Sequence, residues 1–496
     1  MKKTTIGQSI PMMRSMLLLW ISALAVSIGL AEGTAIRQHP DVGANIALLD
    51  RWIRSQMEYR GLPGVAVAVV YDQDLVWSGY YGYADLETKK PVTARTVFRI
   101  ASITKTFTST AIMILRDQGK LQLDDPVSKY IPWFTYKNRF PDGPAVTIRQ
   151  LLTHTSGLPR EAAFPYWTDN NFPSREEMIE AFHKQESTFE PETKWKYSNL
   201  GMAILGEIVA VVGGEPYERF IQKNILDPLE MNSTSVVPVG EVRDRLAVGY
   251  NRRMPDGSRR KAPFLDSRGL IAAANIASTA EDLAKYASAH LGQEPVGGKQ
   301  ILKASTLREM HRVHWLNPGW GSGRGLGFSV SRSGDRETFG HGGWAGSHTS
   351  QLTMSPEEKI AVVVMTNCDD GVPAFFASRI LSMLAPAMRR ALPAPVPAAQ
   401  PDTAMWKKYV GSYTDPDSGI TDVMVFNGKL MMYGYNYPPE ENPVGSLTEL
   451  TPEGENTFRM TGENGNGELV VFEMGTDGRV KRVKATENYL FPVQSP

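Results

Sequence analysis

The chain has 496 residues, too many for one ordinary core, and its 42% hydrophobic and 21% charged content is the balance of a globular protein with more than one domain. Lys+Arg and Asp+Glu are equal at 53 each, so no excess positive field is available to neutralise a phosphate backbone, and the composition excludes nucleic acid as a partner class.

At the N-terminus Lys2, Lys3 and Arg14 precede an uncharged apolar run over 16–31, with the small residues Gly29 and Ala31 at its end. That pattern reads as a signal peptide over 1–31, and the expectation is export to a periplasm or the exterior with no stable membrane span after cleavage. The single cysteine, Cys368, excludes an intrachain disulfide. It ends the strand-like run Ala361-Val362-Val363-Val364-Met365 and reads as a buried structural residue rather than a nucleophile.

After the leader, 64–71 and 75–83 read as two strands of a hairpin joined at Asp72-Gln73-Asp74. A helix follows over 104–118, with apolar positions at Phe107, Ile112, Met113 and Leu115 and Gly119 as its stop. Further helices are expected at 148–152, 200–212 and 280–291, and strands at 326–330, 349–354 and 360–366. Strands at both ends with helices between them predict an α+β domain over 41–390. The Pro- and Ala-rich stretch 391–402 reads as a linker. Beyond it the pattern is almost entirely β, with Asn427-Gly428 as the strongest hairpin cue, and 403–496 is expected to form a small all-β barrel or sandwich, lipocalin-like in kind.

Three places carry candidate chemistry. Ser102-Ile103-Thr104-Lys105 sets a hydroxyl and an amine three residues apart on one helix face, the spacing at which a lysine can take a serine proton. Such a lysine must be buried for its pKa to fall from ~10.4 toward neutrality, and the apolar Phe98, Ile100 and Phe107 surround Lys105 in sequence. Ser258-Arg259-Arg260-Lys261 has the same spacing in a polar stretch, so the pattern alone leaves both open, and Ser102 has a competing use as a helix N-cap. Tyr197-Ser198-Asn199 offers a phenol for proton transfer and an amide for orientation, and Tyr136-Lys137-Asn138 repeats its form. Phe339-Gly340-His341-Gly342-Gly343 reads either as a glycine-rich turn or as a place where backbone N–H groups approach an oxyanion beside a histidine donor. His311 and His314 share a helix face, but no carboxylate completes a zinc arrangement, and His154 reads as structural. Neither metal nor organic cofactor is expected.

Taken in order, the segments Phe98-Arg99-Ile100-Ala101-Ser102-Ile103-Thr104-Lys105, Gly119-Lys120-Leu121-Gln122-Leu123-Asp124-Asp125-Pro126-Val127, Thr147-Ile148-Arg149-Gln150-Leu151-Leu152-Thr153-His154-Thr155-Ser156-Gly157-Leu158, Trp195-Lys196-Tyr197-Ser198-Asn199-Leu200-Gly201 and Ser278-Thr279-Ala280-Glu281-Asp282-Leu283 resemble the serine β-lactamase and penicillin-binding-protein superfamily, in its class C β-lactamase and D-aminopeptidase/esterase branch. The resemblance runs from about residue 45 to 385 and resolves the decoys in favour of Ser102 and Tyr197. It implies that Ser102 is acylated, that Lys105 and Tyr197 move its proton as a coupled pair, and that Asn199 orients Lys105 and a substrate amide. It also implies an oxyanion hole from the backbone N–H groups of Ser102 and Trp344, beside Gly342 and Gly343.

One position departs from the resemblance. Where β-lactamases and most penicillin-binding proteins begin the third segment with lysine, this chain has His341, as D-aminopeptidases, D-amino-acid amidases and some esterases do. The resemblance therefore implies a peptidase, amidase or esterase acting on a small-molecule or peptide substrate, with a class C-like β-lactamase or DD-carboxypeptidase as one alternative and a catalytically silent scaffold as another. Because histidine is mostly neutral near pH 7, substrates without a carboxylate are expected to be preferred, and acid pH is expected to narrow the gap.

Overall fold

The computed structural model describes residues 36–292, 300–334, 336–392, 403–415, 419–435, 443–462 and 464–493. The segment 1–31 expected to be a signal peptide and nearly all of the expected linker over 391–402 lie outside them. Two compact units divide the chain, one ending at Leu392 and the other beginning at Pro393.

The first unit is built on a nine-stranded sheet. Its strands are β1 (Gly64–Tyr71), β2 (Asp74–Asp85), β3 (Lys90–Pro91), β6 (Trp315–Leu316), β7 (Ser322–Arg324), β8 (Ser329–Ser333), β9 (Arg336–Trp344), β10 (Thr349–Ser355) and β11 (Ile360–Thr366), in the order β3-β2-β1-β11-β10-β9-β8-β7-β6. The short strands β4 (Phe98–Arg99) and β5 (Ala277–Ser278) pair apart from it. The first and last strands of the chain segment meet at the centre, Val65 opposite Thr366 and Tyr71 opposite Ile360. Every residue of β1 and β11 is buried, because both faces of the sheet are covered.

The period of two in these strands divides the core. Ala66, Ala68, Val70, Ala361, Val363 and Met365 face the core that contains the helix Thr104–Asp117 and the helix Ala280–Leu291. Val65, Val67, Val69, Val362 and Val364 face the helices Pro40–Arg60 and Pro373–Ala391. A fully buried valine of this kind contributes roughly 1.5–3 kcal/mol, so the two layers together fix the register.

The helix Thr104–Asp117 is buried along 104–115 and is not the one-faced helix its apolar spacing suggests. Its hydroxyls make this affordable: Thr106 donates to the Ile103 carbonyl at 2.8 Å, Ser109 to the Lys105 carbonyl at 2.9 Å and Thr108 to the Ala272 carbonyl at 2.6 Å.

Two expectations are corrected. The strand placed at 326–330 begins at Ser329, because Leu326 to Phe328 turn where Gly327 (φ 81°) packs so closely on Ser109 that a Cβ would lie 1.9 Å from its hydroxyl. Residues 339–343 are not a turn but the middle and end of β9, with Gly343 opposite Ser350 and His341 opposite Leu352. Their glycines serve close approach, since a Cβ on Gly340 would lie 2.0 Å from the Leu352 carbonyl oxygen.

The second unit is a closed eight-stranded antiparallel barrel, β12 (Gly411–Asp415) to β19 (Asn488–Pro492), closed where Tyr413 pairs with Pro492. Asn427 (φ 51°) and Gly428 (φ 74°) form the expected tight hairpin between its second and third strands. Leu430, Val470, Phe472 and Val483 fill its interior.

Candidate active site

Ser102 lies in a single 3-10 turn, Ala101–Ile103, that leads directly into the helix Thr104–Asp117. Ala101 is left-handed (φ 47°), a conformation that costs an alanine roughly 1–2 kcal/mol and persists only where neighbours fix it. They do so on both sides. The Ile100 N–H donates to the Ile276 carbonyl at 3.0 Å, and the Ser350 hydroxyl donates to the Ile100 carbonyl at 2.9 Å. Gly343 allows this docking, since a Cβ there would lie 2.2 Å from the Ile100 carbonyl oxygen. Strand β9 is thereby pressed against the serine turn.

The Lys105 ammonium donates to Ser102 Oγ at 3.0 Å and to the Ala273 carbonyl at 2.8 Å. The side chain is 1% exposed. Burial pushes its pKa from 10.5 down to about 7, against a rise caused by the charge of Glu161 and with a smaller lowering by Arg160. Arg99, which is buried, donates to the carbonyls of Leu265 and Ala274 and to Asn275 Oδ1, and so fixes the segment that follows Ala273.

Tyr197 lies beside this pair, with the Lys105 Nζ 4.8 Å from its ring centre. Burial pushes its phenol well above the ordinary value, and a hydrogen bond with Ser102 pulls the other way. The adjacent Ser198 is used structurally. It caps the helix Asn199–Gly213 by accepting from the Gly201 N–H at 2.8 Å, and it donates to the Pro159 carbonyl at 2.6 Å. His154, left-handed at the end of the helix Ile148–Thr153, accepts from the Ser198 N–H at 3.2 Å. Burial keeps it neutral, and its role is to join the two segments.

Asn199 differs from the expectation. Its Nδ2 donates to Glu161 Oε1 at 2.8 Å rather than serving Lys105, whose second bond goes to Ala273. Glu161 also accepts from Arg160 at 3.1 Å and from the Tyr166 hydroxyl. A carboxylate that no sequence pattern singled out thus holds the amide and acts on Lys105 through its charge.

His341 is half-buried on β9, with its Nδ1 2.6 Å from the Gly342 carbonyl. A carbonyl only accepts, so Nδ1 carries the proton and Nε2 of the neutral ring is an acceptor. Burial and the charge of Lys105 push its pKa down to about 3. The donor expected from the sequence is therefore turned away, and the ring stays neutral far below the expected pH range.

These residues line one cleft of about 560 Å³, which holds Ser102, Tyr197, Asn199, His341, Gly342, Gly343 and Trp344 together with Arg160, Trp167, Trp195 and Arg324. Trp344 is 47% exposed, packs at a tilt on Trp167 with ring centres 5.5 Å apart, and donates to Asp369 at 2.6 Å. The decoys lie elsewhere. Ser258 is exposed and donates to Asp256, Lys261 pairs with Glu87, and Tyr136 packs on Phe134 and Phe182. His311 stacks on Phe339 at 3.6 Å, and Cys368 is buried with its thiol pushed up to about 12. Of the residues missed in the sequence, Arg160 and Glu161 stand one residue beyond the segment ending at Leu158, whereas nothing local distinguishes Arg324.

The profile of the family described as Beta-lactamase matches residues 49–387, the span that carries this whole arrangement. The chain belongs to the beta-lactamase family. Among its relatives, this family member is 26% identical to "Penicillin-binding protein 4*" of Bacillus subtilis (strain 168) over 441 residues, 83% of this chain and 93% of that one. It is 35% identical to "Beta-lactamase-like protein 2" of Dictyostelium discoideum over 277 residues, 55% of this chain, and spans half the length of that protein. Among solved structures, the octameric penicillin-binding protein homologue from Pyrococcus abyssi superposes with a TM-score of 0.62 at 28% identity, covering 90% of this chain and 98% of that one. A D-stereospecific amidohydrolase from Streptomyces sp. shares the fold at 23% identity, with a TM-score of 0.56 over 67% of this chain and 97% of that one. The beta-lactamase-family domain and its appended barrel match the α+β and all-β organisation expected from the sequence.

Proposed function

We propose that this protein is a serine hydrolase that cleaves amide or ester bonds through an acyl-enzyme on Ser102, of the D-amino-acid peptidase, amidase or esterase kind. The observation that carries this reading is the 3.0 Å contact between Ser102 Oγ and a buried Lys105 whose pKa lies about 7. A neutral amine at that position takes the serine proton as Oγ attacks the substrate carbonyl, which would be impossible for an ordinary lysine at neutral pH. Tyr197, its phenol held protonated by burial, acts as the donor and relay, and passes the proton to the leaving group. The backbone N–H groups of Ser102 and Trp344 receive the oxyanion, with Gly343 allowing the close approach of β9. Tyr197 and Lys105 then activate the water that releases the acyl group.

The amidohydrolase named above, which shares the fold, supports the general kind of chemistry, and His341 in place of lysine supports the peptidase, amidase or esterase side of the family. The N-terminal pattern adds the proposal that the enzyme is exported to a periplasm or secreted, where a peptide or other small molecule is the substrate.

The test is intact-protein mass spectrometry after exposure to a fluorophosphonate and to a β-lactam, together with assays on chromogenic esters, D-amino-acid amides and D-Ala-D-Ala peptides. Labelling at Ser102, lost in Ser102→Ala and kept in Ser258→Ala, is the expected result. A protein that neither labels nor turns over any of these substrates is a binding protein on a hydrolase fold.

A further inference from the structure

Of the aromatic rings that line the cleft, that of Trp344 at the end of β9 is the most exposed, at 47%. It is nevertheless fixed from two sides. Its Nε1 donates to Asp369 Oδ1 at 2.6 Å, and its ring packs at a tilt of 39° on Trp167, with centres 5.5 Å apart. Asp369 is held in turn, since its Oδ2 pairs with Arg252 Nε at 3.3 Å and its N–H donates to the Tyr250 carbonyl at 2.9 Å. Trp167 meets the buried Phe172 edge-on, with ring centres 5.2 Å apart. Apolar surface that is exposed and already immobilised loses little entropy when a ligand covers it.

The surroundings select the kind of ligand. The indole N–H is spent on Asp369, so the ring offers a newcomer only its apolar surface. Leu270, Ala274 and Pro373 line the same cleft and add no polar side-chain atom. Among the described residues, the charged side chains that line the cleft are those of Arg160 and Arg324, and each lies over another ring, that of Tyr197 or Trp195. The chain fixes where the contact is made. Because the backbone N–H of Trp344 is assigned to the oxyanion, its indole stands within one side chain's length of the scissile carbonyl.

We infer that the Trp344 indole is a specificity-determining group and that the substrate carries an aromatic or similarly flat apolar substituent next to the bond that Ser102 attacks. Asp369 is the positioning residue that fixes the ring. This rests on the reading of the cleft as a hydrolase site and deepens it by naming a substrate class. Such a substituent buries its own surface together with the open part of the indole, in the offset or edge-on geometry that aromatic pairs favour.

The test compares uncharged esters that differ by one phenyl group: methyl acetate with methyl phenylacetate for the acyl side of the bond, and methyl acetate with benzyl acetate for the leaving side. D-alaninamide with D-phenylalaninamide repeats the acyl comparison on an amide. Labelling rates of Ser102 with methyl and benzyl fluorophosphonates supply the same comparison where turnover is slow. In the unsubstituted enzyme at least one phenyl-bearing member should lead its partner by about ten- to a hundredfold in kcat/KM or labelling rate, the range set by one well-buried apolar group. The pair that shows this identifies the side of the bond that carries the substituent. In Trp344→Ala the lead should fall to about twofold or less, and comparing the same pair between enzymes cancels the intrinsic reactivity of each ester. Asp369→Leu should also lower the lead, chiefly through KM, and Asp369→Asn, which keeps an oxygen for the indole N–H, should restore it. Asp369→Leu leaves residue 344 in place and carries the test if Trp344→Ala does not fold. The inference is overturned if the unsubstituted enzyme reacts without preferring the phenyl member of any pair, or if the preference survives Trp344→Ala. A lead that falls in Trp344→Ala but not in Asp369→Leu removes Asp369 as the positioning residue. Failure of the hydrolase reading shows separately, as absence of both labelling at Ser102 and turnover of either member of every pair.

Discussion

Lys105 shares its nitrogen between the Ala273 carbonyl at 2.8 Å and Ser102 Oγ at 3.0 Å. The carbonyl only accepts, so it keeps one N–H of the lysine in either protonation state. The lone pair of the neutral amine is then directed to the serine, and the proton exchanged is the one between Lys105 and Ser102.

Acylation should therefore lose rate as pH falls through about 7, where Lys105 gains its proton, approaching about tenfold per unit below that value. Single-turnover hydrolysis of a chromogenic ester measures this limb. Stability should move the opposite way in Lys105→Met. The folded pKa lies below the unfolded one, so the unfolded chain binds more protons between about 7 and 10.5, and the cost of burying the charge is fully present below 7 and gone above 10.5. Lys105→Met should melt a few degrees higher than the parent at neutral pH and lose that advantage as pH approaches 10.5. A difference in melting temperature that ignores pH would contradict the shifted lysine.

Glu161 raises the pKa of Lys105 through its charge while its oxygens receive Asn199 and Tyr166. Glu161→Gln keeps one oxygen to accept from Asn199 and offers an amide N–H to the Tyr166 hydroxyl oxygen, but removes the charge. The acid limb of acylation should then move to lower pH, since the ammonium loses a favourable neighbour. Glu161→Ala should add a fall in kcat/KM of roughly tenfold or more by releasing Asn199. An unmoved limb in Glu161→Gln would remove Glu161 from the electrostatics of the nucleophile.

His341, held at about 3, gives no titration near neutrality. The ratio of rates on carboxylate and neutral substrates should stay flat between about pH 5.5 and about pH 8, contrary to the expectation from histidine's ordinary value of ~6.5. His341→Lys should raise that ratio and also push Lys105 further down by placing a second cation beside it. A wild-type ratio that follows a single titration near 6.5 would show the ring to be open to water, and paired profiles on a D-amino-acid amide and its carboxylate analogue decide it.

Gly343 and Gly342 are adjacent but face different surroundings. A Cβ on Gly343 would meet the Ile100 carbonyl oxygen and the Ser350 hydroxyl, both at 2.2 Å, whereas on Gly342 the nearest atom is the flexible Gln351 side chain at 3.1 Å. Gly343→Ala should cost about 1–3 kcal/mol and abolish labelling of Ser102, because β9 can no longer dock on the serine turn. Gly342→Ala should melt within about 1 kcal/mol of the parent. Thermal melts with probe labelling compare the two.

The sequence by itself determined the features that depend on local periodicity and on ordered segments. These are the α+β domain, the helix that carries Lys105 and starts just after Ser102, the strands 64–71 and 360–366, the helix Ala280–Leu291, and the Asn427-Gly428 hairpin of the barrel. Each is written in neighbouring residues, through the period of two or 3.6 and through turn chemistry. Tertiary structure alone decided what Lys105 leans on, which acid holds Asn199, where Arg324 lies and which way His341 turns. Ala273, Glu161 and Arg324 are 168, 38 and 5 residues from the partners they hold, Lys105, Asn199 and Ser329. Only the 5-residue link is short, and it is made across paired strands. The pKa values of Lys105 and His341 belong to the same class, since burial is the first cause of each and burial is a property of the packed fold, not of any stretch of chain.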